Sequence, residues 1–214
     1  MVSDRDQPPE FLPLRGLANF VTVLLAGVVA AIAAKLALRQ FGLGNVHLWH
    51  GLAEGQLNSA INIAIVGTAI LFVVWFRRAR INADGHGYPQ RRALGWTFWG
   101  WVVPIINLWF PFQIMGDIWR AGLPPQRRRQ TAWLPLLWWT CWLASGLSFG
   151  ARAAAANAGP IPHIGGGTDA GSLSLLAVAG VALIAIIRTV SGGPVGSPLR
   201  PDAGAPAAWP LFES

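Results

Sequence analysis

Residues 17–38 read LANFVTVLLAGVVAAIAAKLAL, and Lys35, near the end of this run, is its only charged residue. A helix rises about 1.5 Å per residue and the hydrocarbon core of a bilayer is about 30 Å thick, so about 20 apolar residues are needed to cross it. The run meets that length, and the long stem of Lys35 lets its ammonium group reach the interface. The run is also longer than the apolar part of a signal peptide, which has roughly 7–15 residues. We therefore interpret it as a membrane-spanning helix.

The composition of the whole chain indicates the same class of protein. Of its 214 residues, 53% are hydrophobic and 12% are charged, which is too little charge to cover the surface of a globular protein. The single cysteine, Cys141, excludes a disulfide scaffold. The net charge of the chain is +7. In a membrane protein such an excess of basic residues lies in the cytoplasmic loops rather than on a face that binds nucleic acid, so we expect no nucleic-acid partner.

The rest of the sequence predicts three further spans and one interrupted segment. The three spans, none of which contains a charged residue, are residues 57–76, 131–150 and 171–187. Residues 96–119 are long enough to cross but contain Pro104 and Pro111, each of which removes a backbone donor. Irregular backbone at membrane depth is tolerated only where it packs in protein or lines water. We therefore predict an all-α integral membrane protein with four transmembrane helices and a Trp-rich segment, broken by proline, that is re-entrant or interfacial.

The distribution of basic residues predicts the topology. If residues 96–119 do not cross, 13 of the 16 lysine and arginine residues lie on one side of the membrane and 3 on the other. Because basic loops stay in the cytoplasm, we place both termini on the cytoplasmic side of the cell inner membrane. The chain then divides into a cytoplasmic N-terminal segment (1–16), a membrane domain (17–190) and a disordered cytoplasmic tail rich in proline and glycine (191–214).

The interrupted segment holds two candidate polar residues. Asn107 lies between the two prolines, and its amide can donate to carbonyls that the prolines leave without partners. Replacing it by leucine would then destabilise the protein. The alternative is a ligand contact at the tip of a re-entrant loop. Asp117 is the only carboxylate in the segment, and Arg120, three residues later, can pair with it on one helix face as an interfacial anchor. A functional intramembrane acid is the alternative for Asp117.

A polar stripe begins the second predicted span. Glu54, Asn58 and Asn62 recur every four residues, which places them on one helix face. A stripe of this kind bonds to another helix or lines a watery vestibule. Nearby, His47 and His50 are three residues apart, but Glu54 is the only further ligand evident, so we predict no metal site and no cofactor.

Basic residues flank the interrupted segment on both sides. They set the topology, and they also form a candidate contact for anionic lipid, where each basic residue contributes about 1 kcal/mol near the surface. Asn82, which follows the first of these clusters, is expected to cap the end of its helix. The candidate lipid contacts are Arg77, Arg78, Arg80, Arg127, Arg128 and Arg129.

Four sequence patterns, all within about residues 57–187, resemble a known family. They are W-F-R-R-A-R-x-N-A from Trp75, G-W-x-x-x-G-W-x-x-P-x-x-N-L-x-x-P from Gly95, D-I-W-R-A from Asp117, and W-W-T-x-W from Trp138. Together they resemble the domain of unknown function 4328, a bacterial and mainly actinobacterial family of small multi-pass membrane proteins. The resemblance implies a membrane location without an assigned activity. The chain departs from the family at Asp117, where glutamate is frequent, and at Phe112, where tyrosine is frequent.

The sequence contains no nucleophile elbow, phosphate-cradling glycine loop or pair of carboxylates, so we do not expect an enzyme. We expect a structural or accessory subunit that packs against lipid and against other membrane proteins or copies of itself. The main alternative is a small-molecule or lipid transporter or channel, lined by the polar face of the second span and Asn107. A lipid-modifying enzyme that uses Asp117 is a weaker alternative.

Overall fold

The computed structural model describes residues 11–41, 52–127, 132–157 and 170–198, and these residues form helices and turns without a strand. This agrees with the all-α prediction. Short 3-10 turns follow α3, α4 and α6. The six helices are α1 (Arg15–Gln40), α2 (Leu52–Gly85), α3 (Trp96–Val102), α4 (Phe110–Gly122), α5 (Trp133–Asn157) and α6 (Ala170–Gly192).

Two helices in the described residues are long and apolar enough to cross a membrane, rather than the four that the sequence predicts. They are Arg15–Ala37 of α1 and all of α6. Of the other two predicted spans, residues 57–76 lie within α2, and most of residues 131–150 lie in α5. The side chains of α2 are described from Ile63, only 14 residues before the first of three arginines, and those of α5 end at Ser148. Neither described part therefore reaches the length of a span.

The four long helices pack side by side in the order α2, α1, α6, α5. Helix α4 lies against the ends of α2 and α6 and also contacts α5. The core there is formed by fully buried aliphatic and aromatic side chains, because α4 turns most of its apolar residues inward. They include Trp75, Phe76, Met115, Ile118, Ile186, Ile187 and Val190.

The interrupted segment folds as a hairpin, which we call the tryptophan hairpin (residues 96–122). Helix α3 leads inward and α4 leads back. The ring of Trp96 at the start of α3 packs edge-on against Phe110 at the start of α4, with centroids 4.9 Å apart. Just before the hairpin, Arg92 lies over the same Phe110 ring, 4.1 Å from its centroid. The entry and the return of the chain therefore lie side by side.

The two prolines act differently from the sequence expectation. Pro104 lies in the turn after α3, and Pro111 occupies the first turn of α4, where the missing N–H has no intrahelical partner to lose. The prolines therefore bound two helices rather than interrupt one. The backbone of Asn107 donates to Val103 O at 2.8 Å, and the indole Nε1 of Trp139 donates to Leu108 O at 2.9 Å. Trp139 thus donates to a carbonyl of the turn, a role that the sequence predicted for the Asn107 amide.

The start of the predicted disordered tail is also ordered. Helix α6 continues to Gly192, and Val195 in the following 3-10 turn is fully buried. Gly193 lies so close to the carbonyl oxygen of Gly122 that a Cβ would collide with it. The glycine here permits close packing instead of marking a flexible chain. Residues 199–214 lie outside the described residues.

Candidate functional site

A buried carboxylate organises the charged end of the hairpin. The side chain of Asp117, on α4, is 4% exposed, and its Oδ1 lies 3.3 Å from Arg120 Nη1 and 3.4 Å from Arg91 Nε. The backbone N–H of Arg91 donates to its Oδ2 at 3.1 Å. The predicted pair with Arg120 is confirmed. The sequence missed Arg91, because it lies 26 residues away in the preceding loop and only the fold brings it near.

A second set of polar contacts joins that loop to α2. Arg92 Nε donates to Gln113 Oε1 at 2.9 Å, and its backbone oxygen accepts from Arg80 Nη2 at 2.8 Å. Arg80 is 5% exposed, and its Nη1 lies 3.5 Å from Asp84 Oδ1 without the geometry of a hydrogen bond. The structure therefore differs from the expectation that Arg80 contacts lipid: its guanidinium faces the protein.

Asn82 joins the two ends of the described chain. Its Oδ1 accepts from Leu12 N at 3.0 Å, while its Nδ2 donates to Leu12 O at 2.8 Å and to Val195 O at 3.0 Å. Two turns earlier on the same face of α2, Trp75 Nε1 donates to Ser191 Oγ at 3.0 Å. The expectation that Asn82 caps its helix is wrong, since α2 continues to Gly85. Residues 12 and 195 therefore lie at the same end of the bundle.

Trp101, at the inner end of α3, is the centre of an aromatic cluster. Its ring lies within 6.4 Å, centroid to centroid, of every other ring in the set. The indole Nε1 of Trp101 is buried and has no hydrogen-bond partner among the described residues. The rings around it are Phe72 and Phe76 of α2 and Trp138, Trp139 and Trp142 of α5.

An apolar cavity of about 250 Å³ lies beside Trp101, between α1, α2, α5 and α6. Among its lining residues, Thr68 carries the only hydroxyl, which already donates to Ala64 O at 2.6 Å. Asn107 does not line this cavity. A shallower surface pocket lies near Asp84 at the end of α2.

Asn107 lies in the turn of the hairpin, in the 3-10 helix Ile106–Leu108. It is partly exposed, but its Oδ1 is buried and has no hydrogen-bond partner among the described residues. The side chain of Asn107 therefore adds an unpaired buried acceptor, whereas the sequence predicted that its amide would donate to unpaired carbonyls.

This reverses the expected effect of removing the amide. Replacing an unpaired buried polar group by an apolar group of similar size is neutral or stabilising. We expect Asn107→Leu to leave the free energy of unfolding unchanged or to raise it by up to about 1 kcal/mol, measured by denaturant titration in detergent. A loss of more than about 1 kcal/mol would instead support the sequence-based role of the amide.

Of the remaining predicted site residues, the structure describes the side chains of three arginines. Arg77 and Arg127 are exposed, and Arg78 is partly exposed, with its Nη1 3.4 Å from Pro13 O. No group of three metal-binding side chains occurs among the described residues. The side chains that lie outside them are those of His47, His50, Glu54, Asn58, Asn62, Arg128 and Arg129.

Comparison with known proteins gives one match. No curated protein and no solved structure matches the chain. A family model described as "Domain of unknown function (DUF4328)" matches residues 53–192, which include α3, α4, α6, nearly all of α2, and the residues of the aromatic cluster and of the Asp117 site. Since the match covers 140 of the 214 residues, the chain belongs to the DUF4328 family.

Proposed function

We propose that the chain is a multi-pass protein of the bacterial inner (cytoplasmic) membrane, with α1, α2, α5 and α6 as its spans and both termini in the cytoplasm. The shared attachment of Leu12 and Val195 to Asn82 supports this topology, because an even number of crossings returns the chain to the side where it began. The exposed arginines Arg77 and Arg127 lie near the same end, as the positive-inside tendency requires. The tryptophan hairpin enters from that end and returns to it.

Cysteine labelling tests the topology. In a Cys141→Ala background, cysteines introduced at Gly85 and Gln126, on the two sides of the hairpin, should both react only from the cytoplasm. A cysteine at Phe41, which is exposed just beyond α1, should react from outside and serves as the matched control. Labelling of the positions at Gly85 and Gln126 from opposite sides would show that the hairpin crosses the membrane.

We further propose a non-catalytic role as a structural or accessory subunit. The observation that carries it is an apolar face of the tryptophan hairpin whose six large side chains are each more than 40% exposed. Aromatic side chains are enriched in the cores of protein interfaces. The hairpin that presents them is fixed from behind by Trp101 and by the bond from Trp139. The exposed face consists of Phe98, Trp99, Val102, Ile105, Leu108 and Trp109.

A photo-crosslinking amino acid placed at Trp99 tests this role. We expect one discrete protein adduct in membranes, either a second subunit or a second copy of the chain, that remains stoichiometric after purification in mild detergent. The same crosslinker at Val181, which is 57% exposed on α6, is the matched control and should give mainly lipid adducts. Lipid adducts alone at both positions would contradict the subunit role.

Lipid is the other partner in this proposal. Arg77 and Arg127 are exposed and free to attract anionic headgroups, together with the predicted contributions of Arg128 and Arg129. Arg80 takes no part, because its guanidinium is held by Arg92 O. The transport alternative stays a prediction that depends on the side chains of residues 54–62 and on Asn107.

A further inference from the structure

The apolar cavity beside Trp101 has the features of a binding site for a hydrocarbon chain. Its volume of about 250 Å³ lies just under the roughly 300–1,000 Å³ of ordinary ligand pockets, which suits one chain rather than a whole lipid. All four long helices contribute to its lining. The lining is almost entirely aliphatic and aromatic: Leu25, Val28, Val29 and Ile32 from α1, Leu176 and Leu183 from α6, and the indole rings of α3 and α5.

One residue of the lining carries a buried donor that has no partner among the described residues. Trp101 lines the cavity, and its Nε1 is buried without a hydrogen-bond partner among the described residues. Buried indole N–H groups normally find an acceptor. Water is a poor candidate, because a buried water needs two to four polar partners and Thr68 carries the only hydroxyl in the lining. A ligand that carries one acceptor next to an apolar chain would satisfy the donor.

The cavity also has a lateral entrance. Ile65 and Ala69 of α2 line it and are nevertheless exposed, so the wall formed by α2 is open to its surroundings at that level. Both residues lie in the apolar part of α2, before its arginines. A chain can therefore enter sideways from the hydrocarbon region, with its polar end directed toward Trp101.

We propose that the cavity binds an acyl chain whose carbonyl oxygen accepts a hydrogen bond from Trp101 Nε1. The carbonyl satisfies the indole donor, and the methylene groups fill the space between the helices. The site does not depend on the accessory role or on the exposed face of the hairpin, none of whose six residues lines this cavity. A free fatty acyl compound and an acyl chain of a bilayer lipid present the same chemistry.

The test compares two probes of equal chain length, methyl dodecanoate and dodecane, which differ in the acceptor. The full chain is titrated with each probe at one fixed detergent concentration, and apparent affinity is read from the rise in melting temperature. We expect the ester to bind about 3- to 10-fold more tightly than the alkane, the ratio that corresponds to one net hydrogen bond. Equal affinities, or no binding of either probe, would overturn the proposal.

Two variants assign the preference to the site. Trp101→Phe keeps an aromatic ring but removes the donor, so the ester-to-alkane ratio should fall to about one. Trp133→Phe removes an indole that is 61% exposed on α5 and lies outside the lining, so it should keep the ratio of the parent. Because the ratio is taken within each variant, a difference in stability between variants cancels. Retention of the preference in Trp101→Phe would overturn the proposal.

A third variant and a competitor complete the test. Leu176→Trp places a larger side chain in the cavity and should abolish binding of both probes, whereas undiminished binding would place them elsewhere and overturn the proposal. Competition with dilauroyl phosphatidylcholine distinguishes the sources of the chain. Displacement of the ester supports a bilayer lipid as the occupant, and its persistence supports a free acyl compound.

Discussion

Replacing Asp117 by alanine is expected to lower the free energy of unfolding by about 2–4 kcal/mol. The carboxylate is almost fully buried and accepts from the backbone of Arg91 as well as lying against two guanidinium groups. Its removal leaves that partly buried N–H without its acceptor and leaves two like charges facing each other. The estimate stands below the usual cost of breaking a buried ion pair, because the Arg91 side chain is 59% exposed and water screens it. Denaturant titration of the purified chain in detergent measures the change.

The control for this variant is Asp84→Ala. Asp84 also lies opposite an arginine, Arg80, but its side chain is 67% exposed, so we expect a loss of at most about 1 kcal/mol. A double variant that adds Arg91→Met to Asp117→Ala should lose less than the sum of the two single changes, since the two groups interact directly. Equal losses for the aspartate variants, or additive losses in the double variant, would contradict the anchor interpretation of Asp117.

The features that the sequence predicts correctly depend on near neighbours. Apolar runs identify α1 and α6 because helix length and hydropathy are local properties. The pair of Asp117 and Arg120 follows from a spacing of three residues on a helix. The break in the Trp-rich segment follows from its prolines.

The remaining features depend on contacts between residues far apart in the chain, which no local pattern records. The bond from Trp139 to Leu108 O spans 31 residues, and those from Asn82 span 70 and 113. The same limit explains the errors. From the sequence alone, a proline in a helix interior cannot be told from one in a first turn, as at Pro111. Gly193 is typical of a flexible chain in the sequence, because its contact with Gly122 forms only in the fold.

One signal for Asn82 was nevertheless present in the sequence. Trp75, Ala79 and Asn82 follow each other at intervals of four and three residues, which places the amide on the apolar face of α2. A polar side chain on a buried face needs partners inside the protein. That reasoning identifies Asn82 as a buried residue, although it cannot name Leu12 and Val195 as the partners.

The second large effect is expected at this residue. Asn82→Leu removes three hydrogen bonds at once and leaves Leu12 N, Leu12 O and Val195 O to compete for water at the end of the bundle. We expect a loss of about 2–5 kcal/mol in the free energy of unfolding, since each stranded buried group costs about 1–3 kcal/mol and some regain water. Because the amide binds both Leu12 and Val195, the variant should also expose the backbone around Leu12 to proteases.

The aspartate variant separates the loss of bonds from the loss of shape. Asn82→Asp keeps the size of the side chain and the acceptor for Leu12 N, but it replaces the donor by an oxygen that faces two carbonyl oxygens, Leu12 O and Val195 O. It should therefore be at least as unstable as Asn82→Leu at neutral pH and should recover in acid, where a protonated carboxyl donates again. Stability and limited proteolysis between pH 7 and pH 4 measure this recovery. An aspartate variant as stable as the parent at neutral pH would show that Leu12 and Val195 are held together by packing alone.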